Sequence, residues 1–551
     1  NGEVYNYGEI RAELESAGCT FRTATDTEIV LQAYGTWGPA AVNRFRGMFA
    51  MAIWDDTEQR LFLARDRLGI KPLYYSLAGR SLIFGSEIKA LLASGLVERK
   101  ADAEAVAWYM ATGSVPQPRS ILSGVAMLPA GHTASFVDGH FSLQPYWSAR
   151  DYLCDDIPAS GSTFDEAALR LRALLEDATR QHLIADVPVG AFLSGGIDSR
   201  LVVGLMSRMT REPIRTFSVG FSENAGVPDE RAAARETAAT FGCIHTEEVL
   251  TPTDFVATID AGIAALDQPS IDGFNTFIVS KAAREAVTVA LSGLGGDELF
   301  GGYPHMHRFA IACEKAPSGY PWLAAGVRQL PDWVPGRLRL PLLRLCSDPL
   351  DRLSLIRQQI TPELARTTLQ PRFARCLDRH ARRAMCRNLL PETNDPGNAI
   401  SVVEVDGYLR NTLLRDCDAM SMAHSLEVRP ILLDHRICEF ALGLPSSWKI
   451  GPGVGKRILL AACRDLLPPD AASRPKTGFE IPLSRWVTQY AKDRLLDLFS
   501  GEHARQLFQP RFLEGLRSAA RSNAFSRSQG RLWQSMVLLE YLHLYDLSLS
   551  A

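Results

Sequence analysis

The sequence predicts a chain of mixed α/β and α+β class in two parts: an antiparallel first part, then a parallel, doubly wound part that ends in helices. Three observations predict it. Residues 1–145 hold short apolar runs separated by turn residues. From residue 155 onward, strand-like runs alternate with helical ones, the pattern of a parallel sheet. Two of those strands run straight into glycine loops and helix starts, at Ser194–Ser199 and at Ser292–Glu298.

In the first part, Ile10–Ala17 and Thr27–Tyr34 have helical spacing. Strands are expected at Met48–Trp54, Leu61–Arg65, Leu73–Ser76 and Leu82–Gly85. The breaks at Asp55-Asp56, Leu68-Gly69 and Ala78-Gly79 suggest an antiparallel meander. Gly113–Gly131, rich in Pro, Ser and Gly, reads as a linker. In the second part, Thr163 and Glu166 form a capping box. The helix it opens carries Leu171, Leu174, Leu175 and Ala178 on one face. Strands follow at Val189–Leu193, Arg215–Phe221, Cys243–Val249 and Val287–Leu291. Helices are expected at Leu201–Met209, Asp229–Thr240, Thr253–Ala265 and Phe274–Ala286. After Tyr303 the strands stop, and helices with Pro- and Arg-rich loops are expected.

A chain of 551 residues exceeds one hydrophobic core. Its 46% hydrophobic and 22% charged content is ordinary for globular proteins. A net charge of −3 gives no field to recruit nucleic acid or an anionic membrane. The ten cysteines are scattered without a C-x-x-C pair, which fits reduced thiols in a cytoplasm rather than a disulfide framework or zinc site. No apolar run reaches transmembrane length, and no signal peptide opens the given sequence. Asn1-Gly2-Glu3 already lies inside a motif, so the sequence reads as a fragment lacking its true N-terminus.

The two loops carry the chemistry. In Ser194-Gly195-Gly196, glycines let the backbone approach an anion, and N–H groups at the following helix start face it. Asp198 is out of place beside an anion unless it holds a cation, and a Mg²⁺ shared with phosphates accounts for it. The Walker A pattern is absent. Gly451–Lys456 comes nearest, but its spacing is wrong and Arg457 stands where Ser or Thr is needed. A plain glycine turn is the bland alternative. The second loop, Ser292-Gly293-Leu294-Gly295-Gly296-Asp297-Glu298, repeats the pattern. Acids at a helix start gain only ~0.3–1 kcal/mol from the dipole, so the dipole alone is a weak reason for the pair.

Ser-Gly-Gly-x-Asp-Ser resembles the pyrophosphate loop of ATP pyrophosphatases, which cleave ATP between the α and β phosphates and adenylate a substrate. Asn1–Tyr7, Ala24–Glu28, Arg46–Ala50 and Ala64–Tyr74 look like the glutaminase domain of glutamine-hydrolysing asparagine synthetases. Tyr408–Pro430 and Arg474–Phe479 resemble the same family, with Arg429-Pro430-Ile431 in place of its usual Arg-Val-Pro order. The resemblance implies an N-terminal-nucleophile αββα sandwich over 1–145. It implies an ATP-pyrophosphatase-type synthetase domain with a helical C-terminal part over 155–551. The family nucleophile is a cysteine at position one of the mature chain, whose α-amine serves as base. Cys19, expected at a helix-to-strand junction, cannot replace it.

By the same resemblance, Asn1 and Gly2 form an oxyanion hole, and Glu3 and Asp26 hold the amino group of glutamine. Phe192, Ser194, Gly195, Gly196, Asp198, Ser199, Val219, Ser292 and Gly293 would contact ATP. Asp198 and Asp297 would hold Mg²⁺, and Lys476 would face the adenylate, with Asp297 and Glu298 beside the chemistry. Leu294 departs most: many family members carry an acid there, so Glu298 or Glu427 would take its role, or the acceptor differs from aspartate. Asp267–Thr276 is the expected acceptor loop, and Arg200 replaces a usual serine.

The implied activity is a glutamine-dependent amidotransferase that adenylates a carboxylate, aspartate by default, and amidates it with ammonia. Its partners would be small molecules, with no nucleic acid or membrane, and the reading allows a homodimer. The alternatives are an amide- or lactam-forming ligase on another carboxylate and a silent nucleotide-binding regulatory protein.

Overall fold

The computed structural model describes residues 1–153, 163–222, 230–315, 319–328, 347–354, 356, 362–468, 483–521 and 529–549. The first part is a sandwich of two antiparallel sheets. One has five strands: β1 (Gly2–Val4), β2 (Gly47–Asp55), β3 (Arg60–Arg65), β7 (His132–Val137) and β8 (His140–Pro145), in that spatial order. The other is β5 (Ser81–Gly85), β4 (Tyr74–Ala78) and β6 (Val125–Met127).

Period-two alternation builds both faces. Phe49, Phe62 and Ala64 point to helices α1 (Tyr7–Ser16) and α2 (Asp26–Trp37). Ala50, Leu63 and Ala134 fill the space between the sheets, with Leu73 and Leu128. Helices α3 (Ile88–Ala93) and α4 (Ala103–Thr112) close the far side, packing Leu91, Leu92, Val106 and Met110 with Tyr74, Val125 and Met127. The layering is αββα.

Three expectations change here. The strands do not form one meander: β3 and β4 lie in different sheets. Cys19 sits between two helices, not before a strand. The stretch 113–131 is no linker: Val115, Ile121, Leu122, Met127 and Leu128 are at most 1% exposed, and β6 lies within it. Its prolines and glycines shape turns between apolar residues that belong to the core.

Thr163 caps α5 (Phe164–His182) with a complete capping box. Leu171, Leu175 and Ala178 are buried as the spacing requires, and Leu174 packs against the same core. The parallel sheet follows: β9 (Val189–Phe192), β10 (Arg215–Phe221), β11 (Ile244–Leu250) and β12 (Val289–Ser292). Its spatial order is β11-β10-β9-β12-β13. Helices α5, α6 (Ile197–Ser207) and α7 (Arg231–Thr240) cover one face. Helices α8 (Pro252–Ala265) and α9 (Phe274–Arg284) cover the other. The fifth strand, β13 (Glu427–Pro430), corrects the expectation that strands stop at Tyr303. Glu-Val-Arg-Pro is only four residues long with two charges and a proline, too weak a local signal, and pairing with β12 makes it a strand.

Candidate active site

β9 and β12 are neighbours, and both run into glycine loops at their C-terminal ends. In the first loop, the Ser194 Oγ accepts from the Gly196 N–H at 3.1 Å and lies 3.0 Å from the Ser199 Oγ. The serines thus fix the turn that starts α6. The Gly195 N–H donates to the Glu230 carboxylate at 3.2 Å, so this amide already faces an anionic oxygen. The second loop presses against the first. A Cβ on Gly293 would stand 2.8 Å from the Asp198 Cβ, and one on Gly296 would stand 2.5–2.7 Å from its carboxylate. Glycine at both positions lets Asp198 and Asp297 approach each other.

A lysine joins them. The Lys456 Nζ lies 2.7 Å from the Asp198 Oδ2 and 2.7 Å from the Asp297 Oδ1. Burial alone would depress this ammonium, but the two carboxylates overrule burial and raise its pKa above the ordinary value. Lys456 belongs to the segment that fails as a Walker A motif. Its backbone, at φ +57°, bonds to the Phe300 carbonyl and brings the side chain to the aspartates. No local pattern signals this role, because the contact spans 258 residues.

The donor set fits Mg²⁺, which takes one or two carboxylates and completes its shell with phosphate and water. Two carboxylates, hard oxygen donors, already converge on one cation, the Lys456 ammonium. Asp198 and Asp297 would hold the ion.

Glu298, next to Asp297, is 1% exposed and accepts from the Tyr303 hydroxyl at 2.5 Å. Burial, reinforced by Asp297, pushes its carboxyl up to about 7. A group titrating there can hold or release a proton near neutrality. Leu294 packs with Phe192 against a core of Phe217, Ala290 and Cys417. Val219 is buried on β10 with Phe221 and Phe255. Lys476 lies outside the described residues.

Two expected contributors are elsewhere. Glu427 pairs in register with Val289, at the strand end away from Ser292, and binds the Arg429 Nε at 2.6 Å. It is remote from the loops. Asp267 accepts from the Ile88 N–H at 2.6 Å, and Gln268 bonds to the Ile121 N–H and the Tyr74 hydroxyl. These two face the first part of the chain. Further along the same loop, Asp272 accepts from the Tyr408 hydroxyl at 3.0 Å. Arg200 is buried against Thr237 and the Leu466 carbonyl.

The residues expected to hold glutamine, Asn1, Gly2, Glu3 and Asp26, come together in the first part. β1 carries Gly2 and Glu3 along β2, Asn1 just before it accepts from the Ala50 N–H at 2.9 Å, and the Asp26 Oδ2 at the start of α2 accepts from the Val4 N–H at 3.2 Å. Gly2 has φ +108°, and a Cβ there would meet the Met48 carbonyl oxygen at 2.0 Å, so only glycine fits. Burial, with Asp26 next, pushes the Glu3 carboxyl up to about 7.

Comparison with known proteins decides the family. A model described as asparagine synthase matches residues 170–544, and one described as a glutamine amidotransferase domain matches residues 1–147. The chain belongs to the asparagine synthase family. Asparagine synthetase [glutamine-hydrolyzing] 1 of Bacillus subtilis is 32% identical over 496 residues, covering 88% of this chain and 76% of its own. Asparagine synthetase [glutamine-hydrolyzing] 3 of the same organism is 28% identical over 87% of this chain and 74% of its own. A putative asparagine synthetase of Mycobacterium bovis is 33% identical over 88% of this chain and 75% of its own. This asparagine synthase family member is an ATP-dependent carbon–nitrogen ligase of the glutamine-hydrolysing type. Among its described residues, no helix is long and apolar enough to cross a membrane.

Proposed function

We propose that the chain adenylates the side-chain carboxylate of aspartate with MgATP and amidates it with ammonia from glutamine, giving asparagine, AMP and pyrophosphate. The observation that carries this reading is the convergence of Asp198 and Asp297 between two glycine loops at adjacent strand ends. A carboxylate oxygen of the acceptor attacks the α-phosphorus of ATP, and pyrophosphate leaves. Ammonia then attacks the acyl carbon of the adenylate and expels AMP, losing a proton.

The protein's own groups have separable roles. The helix start at Ile197 receives phosphate oxygens, and so does the Gly195 amide once a phosphate displaces the Glu230 carboxylate from it. Asp198 and Asp297 hold Mg²⁺, which neutralises phosphate charge when bound. Lys456 lends a further positive charge beside the phosphates. Glu298, steadied by Tyr303, takes the proton that ammonia loses. The glutamine pocket uses Asn1, Gly2, Glu3 and Asp26.

Leu294 favours a second reading, in which another carboxylate takes the place of aspartate. Pyrophosphate release with MgATP, ammonia and a panel of carboxylic acids tests both. Release with aspartate, accompanied by asparagine and AMP, supports the first. Release with another acid alone changes the substrate and keeps the chemistry. No release despite nucleotide binding overturns both and leaves a silent binding protein.

A further inference from the structure

The proposed glutamine pocket is not made by the first part of the chain alone. Glu3 stands at the boundary, and the cation facing it comes from β13. The Arg429 Nη2 lies 3.6 Å from the Glu3 Oε2, and the guanidinium is buried. The rest of that guanidinium is fixed to the synthetase part. Its Nε donates to the Glu427 Oε1 at 2.6 Å. Its Nη1 donates to the carbonyls of His182, the last residue of α5, at 2.9 Å and of Ile184, just beyond it, at 2.7 Å. It also stacks over Tyr5, at 5.3 Å from the ring centroid, and Tyr5 in turn packs 4.0 Å from the His182 ring.

β13 leads from there to the nucleotide loops. Arg429 pairs in register with Leu291, and Pro430 pairs with Ser292, the residue that opens the second glycine loop. A shift of Arg429 along or out of the strand is therefore felt one residue from the loop that presses on Asp198.

We propose that Arg429 is a positioning residue of the glutamine pocket, holding Glu3 and coupling the pocket's occupation to the nucleotide loops through β13. The inference rests on the reading of Glu3 as a glutamine contact. An α-ammonium arriving between Glu3 and Asp26 competes with Arg429 for the Glu3 carboxylate. Arg429 then relaxes onto Glu427 and the two carbonyls, and β13 adjusts with it. The coupling is reciprocal: whatever factor nucleotide applies to glutamine affinity, glutamine applies to nucleotide affinity.

The test is binding on the full chain, which needs no nucleophile. Glutamine affinity is measured by calorimetry with and without a non-hydrolysable ATP analogue and Mg²⁺, and analogue affinity with and without glutamine. In the unaltered chain each ligand is expected to change the other's affinity by roughly five-fold or more. In Arg429→Lys and Arg429→Gln the factor is expected to fall within about two-fold of unity, with analogue affinity measured alone reporting an intact fold. Arg429→Lys keeps a buried cation and so guards against loss of the fold in Arg429→Gln, and Glu3→Gln tests the link from the other side. A coupling factor of unity in the unaltered chain, or one unchanged in every variant, overturns the proposal. No glutamine binding by the unaltered chain instead overturns the reading of the pocket itself.

Discussion

Single residues set the charge balance of the site. Lys456 keeps two half-buried carboxylates from facing each other uncompensated. Lys456→Met removes that cation. Roughly a hundredfold loss of pyrophosphate release is expected, the size seen when one electrostatic partner of a reaction is deleted. In chelator the variant should melt below the unaltered chain, and Mg²⁺ should raise its melting temperature by more, because the ion then supplies the missing charge. Equal Mg²⁺ shifts in both proteins would remove Lys456 from this role. Asp267 makes a separate prediction. Burial pushes its carboxyl from 3.8 up to about 7. Between those values the folded chain keeps a proton that the unfolded chain releases. Stability is therefore full below the lower value and declines as pH rises towards the upper one, by about 1.4 kcal/mol per pH unit for one linked proton. Asp267→Asn mimics the protonated acid and should flatten the fall of melting temperature across that window.

The elements that carry the site were legible where local chemistry was strong. Arg215–Phe221 is a strand over the bounds its residues suggest, and the glycines after Leu193 and Ser292 mark the two loops. What long-range contacts decide was not legible. β13 exists through its pairing with β12, and Lys456 matters only because a turn returns it to the aspartates. The π-helical stretch Val405–Leu414 is a further case. Its wide turn presents Asn411 to the Gln117 N–H at 2.9 Å, a contact no periodicity announces. Gly296→Ala places a methyl 2.5–2.7 Å from the Asp198 carboxylate, so the carboxylate must move. Nucleotide affinity should fall at least tenfold, measured by titration, while Gly407→Ala, which meets open space, should bind normally.

At the scale of the whole molecule, the two parts share one core. Tyr74, Val106 and Met110 lie in the same cluster as Phe499, Trp533 and Leu542. Buried polar contacts reinforce it: the Tyr109 hydroxyl donates to the Gln534 carbonyl at 2.9 Å, and the Gln534 amide answers at 2.7 Å. The motif from Ala64 to Tyr74 is explained here. Asp66 accepts from the N–H groups of Leu68, Ile70 and Lys71, and Arg65 bonds to the carbonyls of Gly69 and Lys71. The folded loop aims Lys71 at Asp418 of the second part, 2.7 Å away, with side chains 2% and 9% exposed. Water cannot replace either partner at that burial, so removing one leaves a stranded charge. Lys71→Met should cost about 3–5 kcal/mol, while Lys71→Met with Asp418→Leu should cost far less, because the double change strands nothing. Thermal unfolding of the three proteins measures the difference. Equal losses in the single and double variants would mean that packing around Lys71, rather than its charge, joins the two parts.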